Sequence, residues 1–421
     1  MTYTGLYHMK NQILFLFIFF LPLGLSSQVI KKPKVDFKLS QNSKKIELPF
    51  EYENNFIIVK VLFNNFLPLR FIFDTGAEHT ILTKREISDL MAINYTRKFS
   101  IMGADLTTVL IAYLTQNIDL TIGRFKALNK NILVLDDDYF KFDQFAGIDV
   151  QGIIGADLFR RYIVKINFKR KVITLYQPKH FEAPSKKYIE LPVEIKRHKP
   201  YVTTNVQFAD QTELEVKLLL DTGASLPLML HTNTHPNLDL PEKIIRSKLA
   251  AGLGGDLEGF IGRTQKLFLK DVVLQETTTY FQDLPDAIDS IQINSRNGII
   301  GNEILSRFVV IFDYINEKVY LKPAKKFKKK FKFDRSGLLL ARSGKRMEHF
   351  VVYSVIKDSP AEKAGIQVGD VIIRCNGWPS SFYTLEGISR KFKKRVGKKI
   401  KLKVQRDNQK LEFKFKLRNI I

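Results

Sequence analysis

Apolar residues occur along most of this chain in short runs of strand length. Segments rich in Ile, Val, Phe and Thr alternate with turn residues, and no long 3.6-residue period competes with them. This pattern predicts a mainly β fold. In the first part of the chain, the predicted strands cover 56–63, 67–73, 106–114, 118–122, 132–135 and 163–176.

The same order of segments returns further along the chain. There, the predicted strands cover 202–208, 214–220 and 308–321. Short helical turns are predicted where apolar residues lie three and four positions apart, at 156–162 and 302–308. The chain therefore contains a duplicated unit, and the boundary between its two copies lies near 177–187.

Two short strings occur in both copies. FIFDTGA at 71–77 returns as LLLDTGA at 218–224, and GIIG at 152–155 returns at 298–301. Each copy thus carries an Asp-Thr-Gly-Ala turn after an apolar strand, followed at a similar distance by Gly-Ile-Ile-Gly. The repetition places one aspartate at an equivalent position in each copy.

An Asp-Thr-Gly turn at the end of a strand has a physical logic. Gly76 and Gly223 permit the tight turn that leaves the preceding carboxylate projecting from the strand. The hydroxyl groups of Thr75 and Thr222 can hydrogen-bond across to the opposite turn. Two such turns that face each other would hold each other in place.

The carboxylates of Asp74 and Asp221 would then lie side by side. Like charges about 3 Å apart cannot both ionise, so the pair would share one proton. One carboxylate can deprotonate a water molecule while the protonated partner polarises a carbonyl group. This arrangement predicts direct attack of water on an amide.

These strings resemble the active-site signatures of aspartic proteases, and the Ala after each Gly is closer to the retroviral-like branch than to most pepsins. The two GIIG strings resemble the apolar segment beneath the catalytic turn in each lobe of that family. The resemblance covers about 45–325 and implies two homologous acid-protease β-barrel lobes in tandem. It assigns catalysis to Asp74 and Asp221, and support of the turns to Thr75, Gly76, Thr222 and Gly223. Two alternatives are a pair of structural turn caps and a degenerate protease that binds without cleaving.

The same family places a mobile hairpin, the flap, over its substrate. The candidates are Gly103 in the first copy and Gly254 and Gly255 in the second, which follow each aspartate at a similar distance. A candidate in each copy resembles two fused retroviral-type subunits more than pepsin. The alternative is that these are ordinary glycine turns.

The chain after residue 336 resembles a PDZ domain, a small β-sandwich-like fold with two helices. The loop whose backbone N–H groups bind a terminal carboxylate would be Gly337, Leu338, Leu339 and Leu340. The segment 383–393 would be the helix that lines the groove, which adds an extended peptide as a strand. Leu339 replaces the second glycine of that family, so the ligand preference cannot be predicted. A purely structural β domain is the alternative.

The first 27 residues resemble a secretory signal peptide. A cationic start at Met9-Lys10 precedes an apolar run at 13–25 and several small residues. The run is too short to cross a hydrocarbon core of about 30 Å as a helix, and an uncleaved anchor is the alternative. We therefore expect an exported protein, periplasmic or extracellular and associated with the cell envelope. Its single cysteine, Cys375, excludes an intrachain disulfide.

The formal net charge of the 421 residues is +24. The lysines at 325–332 alternate with Phe327 and Phe331, a pattern that a single-strand nucleic-acid binder could use. The export signal argues against nucleic acid as a partner. The charge favours an anionic envelope surface or acidic substrates, or simply a solvated basic surface.

Together these features predict an exported aspartic endopeptidase that is active as a monomer, needs no cofactor or metal, and binds a polypeptide substrate and a PDZ peptide ligand. His231 and His235 are four apart, but their surroundings indicate a loop rather than a metal site. The alternatives are an inactive peptide-binding scaffold and a basic adaptor of the envelope surface. The predicted boundaries are a signal peptide at 1–27, a basic lead-in at 28–45, protease lobes at 46–180 and 181–324, a basic linker at 325–335 and a PDZ domain at 336–421.

Overall fold

The computed structural model describes residues 44–102, 109–252, 255–284 and 296–421. The predicted signal peptide at 1–27, and nearly all of the predicted lead-in at 28–45, lie outside the described residues. Within the described ranges, no helix combines the length and the hydrophobicity that crossing a bilayer requires.

The first copy of the duplicated unit consists of short strands with a few helical turns. Its strands are β1 (Lys45–Pro49), β2 (Glu51–Glu53), β3 (Phe56–Phe63), β4 (Leu67–Phe73), β5 (Ile81–Leu82), β6 (Tyr95–Met102), β7 (Val109–Ile122), β8 (Phe125–Leu135), β9 (Gly152–Ile154), β10 (Ile163–Asn167) and β11 (Val172–Tyr176). Its helices are α1 (Arg85–Leu90), α2 (Phe142–Phe145) and α3 (Ala156–Phe159), with a 3₁₀ turn at Pro178–His180.

The second copy follows the same plan. Its strands are β12 (Ile189–Pro192), β13 (Glu194–Lys196), β14 (Lys199–Gln207), β15 (Glu213–Leu220), β16 (Leu228–His231), β17 (Ile245–Gly252), β18 (Gly255–Leu269), β19 (Val272–Gln282), β20 (Gly298–Ile300), β21 (Phe308–Asp313) and β22 (Lys318–Pro323). It contains the helix α4 (Asn302–Leu305) and a 3₁₀ turn at Thr232–Thr234.

Each copy forms a large sheet, and the two sheets have the same topology. Over the described residues, the first has the strand order β2-β3-β4-β9-β5-β8-β7-β6 and the second has the order β13-β14-β15-β20-β16-β19-β18-β17. Each sheet also contains a pairing between two strands that are not neighbours in this order, β3 with β7 in the first sheet and β14 with β18 in the second. The duplication seen in the sequence is therefore a duplication of topology.

The first strand and the last two strands of each copy form a third sheet that both copies share. Its order is β1-β11-β10-β21-β22-β12, so the halves meet where β10 pairs antiparallel with β21. Ile163 lies opposite Asp313 in that pair, and Asn167 lies opposite Val309. One apolar core joins both copies and includes Phe73, Phe159 and Phe312. Burial of these aromatic side chains in a shared core stabilises the association of the halves.

The C-terminal region has its own sheet and its own core. Its elements are β23 (Leu338–Ser343), β24 (His349–Val355), α5 (Pro360–Lys363), β25 (Val371–Cys375), β26 (Trp378–Pro379), a 3₁₀ turn at Ser380–Phe382, α6 (Leu385–Phe392), β27 (Lys399–Arg406) and β28 (Gln409–Lys416). The sheet order is β23-β24-β25-β27-β28, which leaves β23 at an edge. Val352, Ile388 and Leu402 are buried in this second core.

The predicted mainly β fold is confirmed, and the predicted strands at 56–63 and 67–73 coincide with β3 and β4. The separation of 106–114 from 118–122 is wrong, because described residues of both belong to the single strand β7. The polar residues between them form a bulge, where the register with β8 shifts between Thr115 and Ile118. Asn117 takes a positive φ of 59° there, which is the kind of local deformation a bulge requires.

Candidate active site

The two Asp-Thr-Gly turns begin where β4 and β15 end, and each is fixed by a neighbouring parallel strand. The Asp74 N–H donates to the Ile154 carbonyl at 3.0 Å, and the Asp221 N–H donates to the Ile300 carbonyl at 2.9 Å. These acceptors lie on β9 and β20, which pair in parallel with β4 and β15. The Gly-Ile-Ile-Gly strings therefore position the Asp-Thr-Gly strings in both copies.

The two turns are joined by their threonines. The Thr75 N–H donates to the Thr222 hydroxyl oxygen at 2.9 Å, and the Thr222 N–H donates to the Thr75 hydroxyl oxygen at 3.0 Å. Each hydroxyl then donates into the opposite strand, from Thr75 to the Leu220 carbonyl at 2.7 Å and from Thr222 to the Phe73 carbonyl at 2.8 Å. Both threonines are fully buried. This fourfold connection holds the turns face to face, as the sequence predicts.

One oxygen of each carboxyl group is held by its own turn. The Asp74 Oδ1 accepts from the N–H groups of Gly76 and Ala77, at 2.6 and 3.2 Å. The Asp221 Oδ1 accepts from the N–H groups of Gly223 and Ala224, at 2.7 and 3.1 Å. These donors orient both carboxyl groups in the same way, so the second oxygen of each faces the opposite turn.

The close approach of the carboxyl groups explains the glycines. A Cβ atom at Gly76 would lie 2.5 Å from the Asp221 Oδ2, and a Cβ at Gly223 would lie closer still to the Asp74 Oδ2. Contacts this short do not occur between real atoms, so a methyl group at either position would displace the carboxyl group opposite it. The glycines thus have a second role besides the turn geometry predicted from the sequence.

The close approach of the two carboxyl groups allows a hydrogen bond between them. Such a bond needs a proton, because two ionised carboxylates can only accept. Burial raises the pKa of Asp74 well above its ordinary value of 3.8, and the negative charge of Asp221 and the hydrogen bond between them raise it further. The pair can therefore retain one proton at a pH where an exposed aspartate has lost its own.

Three further polar groups surround the pair, and the sequence analysis did not find them. Lys199 opens β14 beside the pair, and burial lowers the pKa of its ammonium group. Arg296 is hydrogen-bonded to Tyr201, and burial lowers the pKa of its guanidinium group. The buried Tyr314 has a raised pKa because of burial and the nearby charge of Asp74. The pair thus lies in a poorly solvated and strongly charged environment.

Asn302 is another residue that the sequence analysis missed. It is fully buried at the start of α4, and its side-chain amide donates to the Thr222 carbonyl at 2.5 Å and to the Asn55 carbonyl at 2.8 Å. The Asn55 side chain in turn donates to the Ser225 carbonyl at 3.0 Å. These bonds attach the β2–β3 turn of the first copy to the Asp-Thr-Gly turn of the second. The first copy has Ala156 at the equivalent position, directly after its GIIG string. This difference between the two copies was the sequence signal that could have identified Asn302.

The carboxyl pair opens into a cavity of about 1260 Å³. Its walls come from both copies and from the C-terminal region, and they include Asp74, Asp221, Lys199, Tyr353 and Leu385. A cavity of this size can hold an extended segment of polypeptide. The pair is thus accessible from a space that also reaches the C-terminal region.

The structure describes one of the three predicted flap glycines. Gly103 and Gly254 lie outside the described residues. Gly255 opens β18 and pairs with Gly252, so it belongs to the hairpin of β17 and β18. That hairpin and the hairpin of β6 and β7 occupy equivalent places in the two sheets.

The predicted carboxylate-binding loop lies at the start of β23. Its first two N–H groups are already used within the chain: the Gly337 N–H donates to the Asp334 Oδ1 at 2.7 Å, and the Leu338 N–H donates to the Ser336 hydroxyl at 3.1 Å. Leu338, Leu339 and Leu340 line the large cavity. The predicted helix at 383–393 is α6, and its N-terminus is capped by the Thr384 hydroxyl, which accepts from the Gly387 N–H at 3.0 Å.

The C-terminal region packs against the first copy next to the groove between β23 and α6. The Phe145 ring meets the Tyr353 ring edge-on at 5.0 Å between centroids. Gly147 lies between β23 and α6, because a Cβ there would be 2.8 Å from the Leu385 Cβ and 3.6 Å from the Arg342 Cδ. The loop after α2 therefore occupies the end of the groove between β23 and α6.

The two histidines at 231 and 235 do not converge on a common ligand site. Burial lowers the pKa of His231 to about 3, and neither of its nitrogens has a hydrogen-bond partner among the described residues. The His235 Nδ1 accepts from the Asn237 N–H at 3.1 Å. Over the part of the chain that the structure describes, no group of three or more potential metal ligands is found.

Two family models match the chain. The aspartyl protease model matches residues 59–158, which include Asp74, and the PDZ domain model matches residues 351–406. The resemblance to an aspartic protease followed by a C-terminal PDZ domain, predicted from the sequence, is thus confirmed. These matches support a protease with a domain for peptide recognition.

One curated protein with a similar segment is a probable CtpA-like serine protease of Staphylococcus saprophyticus. It is 38% identical over 88 residues, which are 20% of this chain and 18% of the relative. The chain therefore spans less than a fifth of the length of that curated relative.

Proposed function

We propose that this chain is an aspartic-type endopeptidase and that Asp74 and Asp221 are its catalytic residues. The observation that carries the proposal is the close approach of the two carboxyl groups, each held by equivalent backbone donors of its own turn. Equivalent turns, a shared proton and an adjoining cavity provide what water-mediated hydrolysis needs. Both aspartates belong to one chain, which supports activity as a monomer.

The proposed reaction uses the pair as combined base and acid. The ionised carboxylate takes a proton from water, whose oxygen attacks the amide carbon. The protonated carboxyl group gives its proton to the carbonyl oxygen, which forms a tetrahedral diol. The carboxyl group that took the proton from water then gives it to the amide nitrogen, while the other carboxylate takes a proton from a diol hydroxyl. The C–N bond breaks, the C=O bond re-forms, and an acid and an amine are released. Each carboxyl group exchanges roles, so the pair ends with one proton as it began.

The surroundings of the pair support the charge balance that this reaction needs. The Gly76 and Gly223 N–H groups stabilise an ionised oxygen on each side, while burial opposes ionisation of both groups at once. The threonine connection keeps the two oxygens at hydrogen-bonding distance, which is a requirement of pre-organised catalysis. We assign Thr75 and Thr222 as positioning residues.

The C-terminal domain has a proposed role in peptide recognition. The edge strand β23 and helix α6 border a groove that joins the cavity of the carboxyl pair. Addition of an extended peptide to such an edge is a recurrent mode of recognition. Export to the cell envelope is part of the same proposal and is supported by the apolar run at 13–25 of the sequence.

The decisive experiment is cleavage of a broad peptide library from about pH 3 to 8, a range that spans the titration of ordinary and raised carboxyl groups. Purified protein is compared with Asp74→Asn, Asp221→Asn and, as a matched control, Asp239→Asn on an exposed loop. We expect cleavage by wild type and the control, inhibition by a pepstatin-like compound, and loss in each catalytic variant.

Two outcomes would overturn the proposal. Because the relative is named a serine protease, activity that is blocked by a serine-directed phosphonylating reagent and survives in Asp74→Asn would assign a different mechanism. No cleavage at any pH, with peptide binding retained, would favour the inactive scaffold instead.

A further inference from the structure

The basic linker has an alternating pattern whose physical reason is visible in the structure. Phe331 is buried, with 5% of its surface exposed, and belongs to the core of the duplicated unit. Phe327 packs on Phe308, with ring centroids 5.4 Å apart. Phe327 and Phe331 are therefore anchors of the linker on the protease core. They are not available for stacking on nucleic-acid bases.

Arg307 fixes the linker between these anchors. Its guanidinium group donates to the Phe327 carbonyl at 3.1 Å and to the Lys329 carbonyl. Its Cζ also lies 3.5 Å from the centre of the Phe331 ring. Arg307 is itself buried, with 6% exposed. Two carbonyl contacts and one ring contact from a buried side chain determine the path of the linker backbone.

The lysines of the fixed linker point away from its anchors. Lys326, Lys329, Lys330 and Lys332 are exposed and line the same cavity as the carboxyl pair. None of the four makes an ion pair with a carboxylate in the described part of the chain. Arg390 and Lys393 of the α6 region line the cavity as well. Cationic side chains outnumber carboxylates along its walls, so the walls carry an excess of positive formal charge, which attracts anionic groups.

We propose that the anchored linker selects polypeptide substrates with acidic residues close to the scissile bond. This inference rests on the proposed function, because the lysines and the carboxyl pair share one cavity. An acidic segment that extends from the pair toward β23 gains attraction from several lysines at once. A basic or neutral segment gains none. The linker is thus a specificity element as well as a connection.

A polypeptide is favoured over a nucleic acid by the rest of the cavity. Phe327 and Phe331, the two rings that alternate with the lysines, are packed against the protease and cannot stack on bases. The edge of β23 offers backbone hydrogen bonds to an extended peptide. These features suit an acidic peptide and oppose an oligonucleotide.

The experiment compares matched peptides that carry two Glu, two Gln or two Lys on either side of a common cleavable sequence. Binding is measured by fluorescence anisotropy with Asp74→Asn, which should not cleave, and kcat/KM is measured with the full wild-type chain. We expect the Glu peptides to be preferred over the Lys peptides by about tenfold, a size typical of a few exposed ion pairs. The preference should decrease with added salt.

Two triple variants test whether the effect depends on the position of the lysines or only on the total charge of the protein. Lys329→Glu with Lys330→Glu and Lys332→Glu should abolish the preference for Glu peptides in both binding and kcat/KM. Lys399→Glu with Lys410→Glu and Lys416→Glu, a triple change on β27 and β28 outside the cavity, should leave it unchanged. Arg307→Lys keeps the charge but loses the paired carbonyl contacts, and it should weaken the preference mainly through KM. Circular dichroism confirms that each variant folds.

The outcomes distinguish this inference from the proposed function. Cleavage without a preference for Glu peptides, or equal effects of the two triple variants, overturns the inference and leaves the protease proposal intact. Selective binding of Glu peptides without cleavage supports the inference and overturns the proposed catalysis. Tighter binding of a single-stranded oligonucleotide than of any Glu peptide would overturn the inference in favour of a nucleic-acid ligand.

Discussion

Thr75 and Thr222 exchange backbone and hydroxyl hydrogen bonds across the junction of the two copies, at 2.9 and 3.0 Å. Each threonine therefore supports the aspartate of the opposite copy as much as its own. Because the relationship is reciprocal, a change in one turn must disturb both carboxyl groups. The pair behaves as one structural unit built from two distant parts of the chain.

We predict that Thr75→Val lowers both stability and activity. Valine has nearly the same shape but cannot accept from the Thr222 N–H or donate to the Leu220 carbonyl. Each buried group left without a partner costs about 1–3 kcal/mol. Denaturant unfolding and the kcat of peptide cleavage measure the two effects.

Thr75→Ser is the matched control, because it keeps the hydroxyl group and loses only a methyl group. It should retain most of the activity. Equal loss in the serine and valine variants would show that packing of the methyl group, rather than hydrogen bonding, holds the turns.

We predict that Asp74 makes the folded state less stable as the pH rises. The folded-state pKa of this carboxyl group lies well above the unfolded value of 3.8. The stabilisation is therefore complete below pH 3.8 and is lost as the pH rises through the folded-state pKa. Asp74→Asn mimics the protonated form at every pH, so its stability relative to wild type should increase with pH.

Urea unfolding of both proteins at several values between about pH 4 and 7 provides the test. The exposed Asp239→Asn serves as the control for the loss of one carboxyl group away from the pair. A constant difference between Asp74→Asn and wild type across this pH range would contradict a raised pKa at Asp74.

We predict that Asn302→Ala reduces kcat more than it changes KM. The variant removes the donors to the Thr222 and Asn55 carbonyls, so the Asp-Thr-Gly turn of the second copy loses this attachment to the first copy. Loss of the buried bonds should also cost about 1–3 kcal/mol of stability. Steady-state kinetics and unfolding measure both quantities.

Asn237→Ala, on an exposed loop, controls for the loss of an asparagine. An unchanged kcat in Asn302→Ala, together with reduced stability, would restrict Asn302 to a structural role. A changed KM alone would place its effect on substrate binding instead.

The repeated strings predicted the central part of the site because their chemistry is local. An aspartate, a threonine and a glycine after an apolar strand determine a turn, and two copies imply a pair. Asn302 and Lys199 carry no such pattern, since their importance arises from contacts between segments far apart in the sequence. In the first copy, Ala156 takes the place of Asn302.

The linker shows a different limit of sequence interpretation. Lysines interleaved with Phe327 and Phe331 would form the same pattern in a segment that stacks on bases and in a linker whose rings pack against the protein. The sequence does not show which surface the rings meet. In the structure, Phe331 is buried in the protease core and Phe327 is half-buried against Phe308. A sequence pattern predicts a local element such as a strand or a helix. Whether a side chain in that element is buried depends on which other segments pack against it.

We predict that Gly147→Ala separates the C-terminal domain from the first copy. An alanine Cβ there would lie 2.8 Å from the Leu385 Cβ, so α6 must move away. Gly147 also has a positive φ of 66°, which costs an alanine about 1–2 kcal/mol whatever its surroundings. Gly397 supplies the matched control, because its φ is 79° and an added Cβ would have no other atom within 4 Å. Hydrogen exchange of 142–147 and of the start of α6 should accelerate in Gly147→Ala but not in Gly397→Ala. Equal exchange in the two variants would mean that backbone strain, rather than the contact with Leu385, accounts for the effect.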